Sequence, residues 1–214
     1  KSVEYVPGVG VDLDRFSAPT VEPDEMRARL GLPSDAFVVL SIGELNANKN
    51  HETVVRAIAE TADPNIQYVI CGEGPLRATL QELAEQLGVG ERVHLLGYRR
   101  DVPDLLALAD VFCLPSRREG LPLALMEAMA AGKPVISSRI RGVVDLLNDS
   151  EGGRLVDDLV SSAEFSEAID AFVMGGLSIS QIGAHNKISI SRFSTREVSS
   201  LIALIYGCGE SGEK

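Results

Sequence analysis

Residues 37–88 read FVVLSIGELNANKNHETVVRAIAETADPNIQYVICGEGPLRATLQELAEQLG, and their alternation decides the fold. Residues 37–43 (FVVLSIG) form a short, β-branched, apolar run of the kind that makes a buried strand. Asn50 opens a helical pattern with Val54, Ile58 and Ala62 on one face. Residues 67–72 (QYVICG) read as the next strand. Residues 75–87 make the clearest helix: Pro75 stands in the first turn, Leu76, Leu80, Leu83 and Leu87 form the stripe, and Gly88 stops it. The alternation continues with a strand at 93–96, a helix at 101–109 capped by Asp101, and a strand at 111–114. A helix at 122–131 ended by Gly132, a strand at 134–137, a short helix near 143–147 and a strand at 153–156 complete the series. Strand and helix alternating across short Gly/Pro-punctuated links predict an α/β fold, a doubly wound parallel sheet of Rossmann type over residues ~35–173. Two capping boxes follow, Ser161-x-x-Glu164 before Phe165, Ile169 and Phe172, which are expected to face inward, and Ser194-x-x-Glu197 before Val198, Ile202 and Ile205. Residues 174–191 are only weakly periodic, and 206–214 read as a frayed tail.

The chain has 214 residues, 45% apolar and 24% charged, a mixture that supports a packed core and excludes wholesale disorder. Twenty Lys and Arg face 31 Asp and Glu, a net charge of −11 that repels nucleic acid and anionic lipid. Any anionic ligand must therefore be held by local geometry. The longest uncharged apolar candidate for a membrane span, 171–186, is broken by Gly, Ser, Gln and Asn. Cys71, Cys113 and Cys208 are odd in number without C-x-x-C spacing, which reads as reduced thiols in a cytoplasmic protein. His51, His94 and His185 are too scattered for zinc-ligand spacing. Lys1 is not a start methionine and no signal peptide follows it, so the chain is expected to be a piece of something longer.

In open parallel sheets ligands bind beyond the carboxyl ends of the strands, so the loops after Gly43, Gly72, Leu96, Leu114 and Ser137 matter most. Glu127 stands in the middle of a helix that is apolar nearly all round. A carboxylate there must be paired structurally or must hold something polar. Glu119 precedes the same helix, and Gly120 and Pro122 leave the helix N-terminus bare for an anion. Two carboxylates flanking an anion site suit a ligand with both phosphate and sugar alcohols. Lys49 lies at the start of a helix, where a cation opposes the dipole by ~0.3–1 kcal/mol. It is either a solvated lysine or a phosphate ligand. Arg99, Arg100, Arg117 and Arg118 are the paired basic residues in ligand-side loops. Residues 72–75 (GEGP) match a dinucleotide fingerprint only in part, and neither a G-x-S-x-G elbow nor a P-loop occurs.

Glu119 to Glu127 fits the E-x7-E motif of the retaining glycosyltransferases of family 4, whose fold is the two-domain GT-B. Residues 7–12 (PGVGVD) resemble that family's entry segment, Gly43 with Lys49-Asn50 its first phosphate loop, and 71–77 (CGEGPLR) its G-x-G-P-L-R turn. Residues 109–116 (ADVFCLPS) before Glu119-Gly120, and 127–135 (EAMAAGKPV), continue the match in family order. The resemblance implies that residues 1–206 form the nucleotide-sugar donor-binding domain, the C-terminal half of a GT-B enzyme whose N-terminal acceptor domain is absent from this chain. It implies Lys49 on the donor diphosphate, Glu127 on the ribose and Glu119 on the transferred sugar. Gly43 would belong to the phosphate loop, backbone at Gly120 and Leu121 would cradle phosphate, and Gly97, Tyr98 and Arg99 would lie by the base. It further implies catalysis without metal or cofactor, uridine as the family's commonest base, and surface-polysaccharide assembly. That work belongs at the inner face of the cell membrane, reached as a peripheral contact through the missing half. The chain alone would transfer little sugar, and its last helix would expose apolar surface. One departure stands out. Glu44 occupies the position of the family's second cation, so Arg117, Arg118 or Arg99 is expected to replace it. The alternative is a non-catalytic nucleotide-sugar binding module.

Overall fold

The computed structural model describes residues 9–149 and 151–206. Two short helices lead, α1 (Leu13–Ser17) and α2 (Pro23–Leu30). Then β1 (Phe37–Ile42) is followed by α3 (His51–Glu60), β2 (Ile66–Cys71) by α4 (Arg77–Gln86), and β3 (Val93–Gly97) by α5 (Val102–Leu108). Next come β4 (Val111–Leu114) with α6 (Leu123–Ala130), then β5 (Val135–Ser138) and β6 (Gly153–Val156). The helices α7 (Ser162–Val173), α8 (Ile179–Ile190) and α9 (Thr195–Tyr206) close the described chain.

The six strands form one parallel sheet in the order β3-β2-β1-β4-β5-β6. The chain steps from β1 outward to β3, then crosses back to β4 and steps the other way. The order reverses between β1 and β4, which pair Val39 with Val111 and Leu40 with Phe112. At such a reversal the loops leaving the two central strands diverge and open a crevice.

Both faces of the sheet are covered, which is why its strands read as continuous apolar runs. Val38, Leu40, Val69, Phe112 and Leu114 pack under α2, α5 and α6 through Met26, Leu105, Leu106, Leu125 and Met129. Val39, Ile70, Val111, Cys113 and Ile136 pack under α3, α4 and α7 through Val54, Ile58, Leu80, Phe165 and Ile169. One polar chain crosses this second layer. Ser41 Oγ donates to the Cys113 carbonyl (2.6 Å) and accepts from the Tyr68 hydroxyl (2.9 Å). With both hydroxyl protons spent, the 3.1 Å contact between Tyr68 and His51 makes His51 Nδ1 the donor. Burial, and secondarily Lys49, lowers the His51 pKa to about 4, so the ring is neutral at physiological pH.

Several expectations need correction. α3 ends at Glu60, which leaves Ala62 beyond it. α4 begins at Arg77, after Pro75 and Leu76, and buries Leu80 and Ala84 while Leu87 lies exposed. Asp101 stands at the N-cap of α5 without a side-chain cap, because its carboxylate is gripped by Arg99. Residues 143–147 form hydrogen-bonded turns, not a helix: the Val144 amide donates to Ile140, and the Leu146 and Leu147 amides to Val143. Only half of each capping box forms. Ser161 accepts from the Glu164 amide, but the Glu164 carboxylate turns to the amides of Asp157 and Asp158. Ser194 accepts from the Glu197 amide, and the helix that follows buries Val198 and leaves Ile202 and Ile205 38% and 42% exposed, the exposed apolar surface expected of the last helix. α1, α2 and α8 carry no prior assignment, and Ser178 caps α8 by accepting from the Gln181 amide. Pro7 and Gly8 of the entry segment, Cys208 and the 207–214 part of the expected tail lie outside the described residues.

Candidate functional site

The loop after β1 is built to project Lys49. Its base is locked to the β2 end, where the Gly43 amide donates to the Cys71 carbonyl (2.9 Å) and the Leu45 amide to Glu73 (2.9 Å). The two chains approach so closely that a Cβ on Gly72 would lie 1.8 Å from the Gly43 carbonyl oxygen. Asn46 Oδ1 accepts from the amides of Asn48 and Lys49 (both 3.0 Å), a turn closed by its own side chain. Asn50 then adopts a left-handed conformation (φ 56°), the only non-glycine to do so among the described residues. Its side-chain Nδ2 donates to the carbonyls of Pro115 (3.2 Å) and Leu159 (2.7 Å), and its Oδ1 accepts from Thr53 (3.1 Å) and from the Arg117 guanidinium (3.3 Å). Asparagine tolerates this conformation because its short polar side chain finds local partners. The Lys49 stem folds back against Gly43, its Cδ and Cε 3.2 Å from where a Cβ would sit.

The loop after β4 is stitched to this one. The Arg117 amide donates to Asn48 (2.8 Å) and the Asn48 side chain to Arg118 (3.0 Å). Across the β1–β4 reversal, Lys49 Nζ lies 2.7 Å from Glu119 Oε1, both side chains largely covered. Beyond Glu119 the loop runs under Gly142, where a Cβ would come within 1.9 Å of the Gly120 carbonyl oxygen. Pro122 caps α6 without any side-chain hydrogen bond, and the amides of Leu123 and Ala124 have no hydrogen-bond partner among the described residues, while that of Leu125 donates to Pro122 (3.1 Å). Glu127 sits half-buried within α6, and its carboxylate makes no hydrogen bond or ion pair among the described residues. Burial pushes its carboxyl pKa up, against the opposing charge of Arg15.

Beside these groups a cleft of about 660 Å³ opens, lined among others by Arg15, Gly43, Glu44, Tyr98, Arg99 and Arg100. That volume suits a nucleotide-sized ligand. Tyr98 is exposed there. Arg99 clasps Asp101 through Nε (2.8 Å) and Nη2, which lowers the Asp101 pKa and raises that of Arg99. Gly97 ends β3, and its carbonyl accepts from the Gly72 amide (2.9 Å). Of the residues singled out in the sequence, Lys49 and Glu119 meet, and Gly43, Tyr98 and Arg99 line one cleft. Gly120 and Leu121 lead into α6. Arg117 is turned onto Asn50, and the Arg118 side chain is exposed. Arg15 was not singled out, because α1 is too short to leave a periodic signal.

Residues 22–183 match the family model described as glycosyl transferases group 1. The putative glycosyltransferase EpsD of Bacillus subtilis is 32% identical over 206 residues, covering 95% of this chain and 54% of that protein. The UDP-Gal:alpha-D-GlcNAc-diphosphoundecaprenol alpha-1,3-galactosyltransferase of Escherichia coli is 36% identical over 154 residues, 69% of this chain and 40% of that protein. Among solved structures, Anabaena HepE in complex with UDP shares the fold with a TM-score of 0.86 at 24% identity, over 93% of this chain and 56% of that one. The chain thus spans about half the length of the relatives it matches. With its six-stranded Rossmann-like sheet and a family match over most of its length, the chain belongs to the glycosyl transferases group 1 family and carries the Rossmann-like fold of GT-B glycosyltransferases.

Proposed function

We propose that this chain is the donor-binding half of a retaining, metal-independent glycosyltransferase of family 4. It takes a nucleoside diphosphate sugar, UDP-linked as the first choice, and passes the sugar to an acceptor held by an N-terminal domain. The observation that carries the reading is the Lys49–Glu119 pair, set between the loops of β1 and β4 beside the bare N-terminus of α6. In the free site these two groups neutralise each other. An entering diphosphate replaces Glu119 as the partner of Lys49 and takes the amides of Gly120 and Leu121, which frees the Glu119 carboxylate to accept hydrogen bonds from sugar hydroxyls. Glu127 receives the ribose hydroxyls, and Gly97, Tyr98 and Arg99 flank the base. As the sugar departs, charge gathers on the leaving phosphate, where a fixed cation and oriented amides stabilise it without reorganising.

Relatives named for lipopolysaccharide core biosynthesis and for a diphosphoundecaprenol-linked acceptor support a role in surface polysaccharide or glycoconjugate assembly at the cytoplasmic face of the membrane. No described helix is long and apolar enough to cross a membrane; our reading assigns peripheral contact with the membrane to the acceptor half. Calorimetry tests the site: UDP binds the wild-type chain, NAD does not, and Lys49→Ala weakens UDP at least tenfold, the loss of one charge-assisted hydrogen bond. A chain indifferent to nucleoside diphosphates ends the proposal. Glu44 on the cleft wall favours a second reading, a nucleotide-sugar binding module. Donor hydrolysis by the full-length protein excludes that module; its absence alongside tight binding supports it.

A further inference from the structure

The cleft is short of uncommitted positive charge. Glu44 and Glu73 line it, Arg99 is matched by Asp101, and Lys49 by Glu119. A nucleoside diphosphate brings further negative charge into a chain whose net charge is already −11. Two lining cations remain without a hydrogen bond or ion pair from their side chains among the described residues, Arg15 and Arg100.

Arg15 is the better placed. α1 is pinned from outside, since the Val11 amide donates to Phe193 (2.9 Å) and the Thr195 amide to Val11 (2.9 Å). It is capped from within by Asp12, which accepts from the Arg15 amide (3.1 Å), and anchored by buried Phe16. The Arg15 guanidinium lies over the Phe16 ring at 5.2 Å, which holds a flat, five-donor fork at the cleft wall. α1 packs against α6, and Arg15 is the cation whose charge acts on Glu127.

We propose that Arg15 is a donor-contacting residue, its guanidinium binding the phosphate of the nucleotide that lies nearest the ribose, in a cleft whose first loop presents Glu44. This rests on the donor-site reading above. The α1 fork thereby supplies a cation that the β1 loop lacks, and it does so from a segment that precedes the sheet.

The test compares wild type, Arg15→Ala, Arg15→Lys and Arg100→Ala by calorimetry with UDP, UMP and uridine, after urea denaturation has confirmed equal stability. Arg15→Ala is expected to lose about tenfold in affinity for UDP and for UMP while uridine binding stays unchanged. Arg15→Lys recovers part of the loss, because a point charge replaces the fork, and Arg100→Ala loses less affinity for UDP and UMP than Arg15→Ala does. Unchanged UDP binding by Arg15→Ala, in a wild type that binds UDP, overturns this inference and leaves the donor site standing. An equal loss for uridine overturns it too, since it puts Arg15 on the nucleoside. No binding of UDP by the wild type brings down the donor-site reading and this inference together.

Discussion

In the proposed donor site, Glu127 sets ligand binding against stability. Its carboxyl pKa in the folded chain is raised by burial, with Arg15 opposing. Between the unfolded value and this raised one the folded state holds more protons, so stability falls as pH rises through that window. Glu127→Gln should therefore raise the urea midpoint on the alkaline side of that window and flatten its decline across the window. The same change should cost about tenfold in nucleotide affinity, because a carboxylate acceptor becomes an amide. Urea midpoints across pH 4–8, paired with UDP calorimetry, read both effects, and a variant that loses stability on the alkaline side contradicts the account. His51 works with the opposite sign. Its folded pKa is depressed to about 4 by burial first and Lys49 second. The unfolded ring takes a proton below about 6.5, so stability is full above that pH and drains away as pH falls toward 4. The whole interval amounts to roughly 3 kcal/mol. His51→Gln keeps an amide donor for Tyr68 and should remove this acid-side loss from the urea midpoints.

Asn50 joins three connections that the linear chain keeps far apart. Through its amide and carbonyl oxygen the β1 loop is fastened to the β4 loop at Pro115 and Arg117 and to the segment before α7 at Leu159. Asn50→Gly relieves the left-handed backbone but loses these bonds, whereas Asn50→Ala loses the bonds and also strains the backbone. Chemical denaturation should show Asn50→Gly destabilised by about 1–3 kcal/mol and Asn50→Ala by about 1 kcal/mol more. Equal losses would mean that the left-handed conformation carries no cost. None of this was visible in the sequence, where Asn50 reads only as a helix opener. What was legible followed from apolar continuity: the strands now seen as β4 and β6 were bounded to the residue, because a run buried on both faces has sharp polar edges. The helices α1, α2 and α8 escaped notice for the opposite reason. α2 buries one residue, Met26, and α8 meets the body of the fold through Ile182, Gly183, Asn186 and Ile190, two of them without apolar bulk. The carboxylate pair and Lys49 were legible as residues out of keeping with their local pattern. That Lys49 would rest on Glu119, that Arg99 would be spent on Asp101, and that Arg15 would face the cleft depend on which loops the strand order brings together.

The two-layered core makes a global test available through cysteine chemistry. Cys71 sits in the layer under α2, α5 and α6, and Cys113 in the layer under α3, α4 and α7, both free and buried. Desolvation pushes the Cys71 pKa up to about 12 and that of Cys113 higher still, so neither thiol is a nucleophile in the folded chain. Each becomes reactive only when its own layer opens. Because α7 contacts α3 while α6 contacts α8, and the shared sheet lies between them, the layers are expected to open together. A disulfide reagent with peptide mapping, which separates Cys71 and Cys113 from Cys208, should give the two sites the same labelling free energy, equal to that from urea unfolding. Different values would mean that the face bearing Cys71, which also borders the cleft lined by Gly43 and Tyr98, opens on its own. The comparison with ligand is then decisive. UDP at a hundred times its dissociation constant stabilises a two-state fold by about 2.7 kcal/mol, so it should slow labelling at both sites by roughly a hundredfold. Protection confined to Cys71 would locate the nucleotide in the same cleft but show that its binding energy stays in one layer, with the rest of the sheet opening regardless.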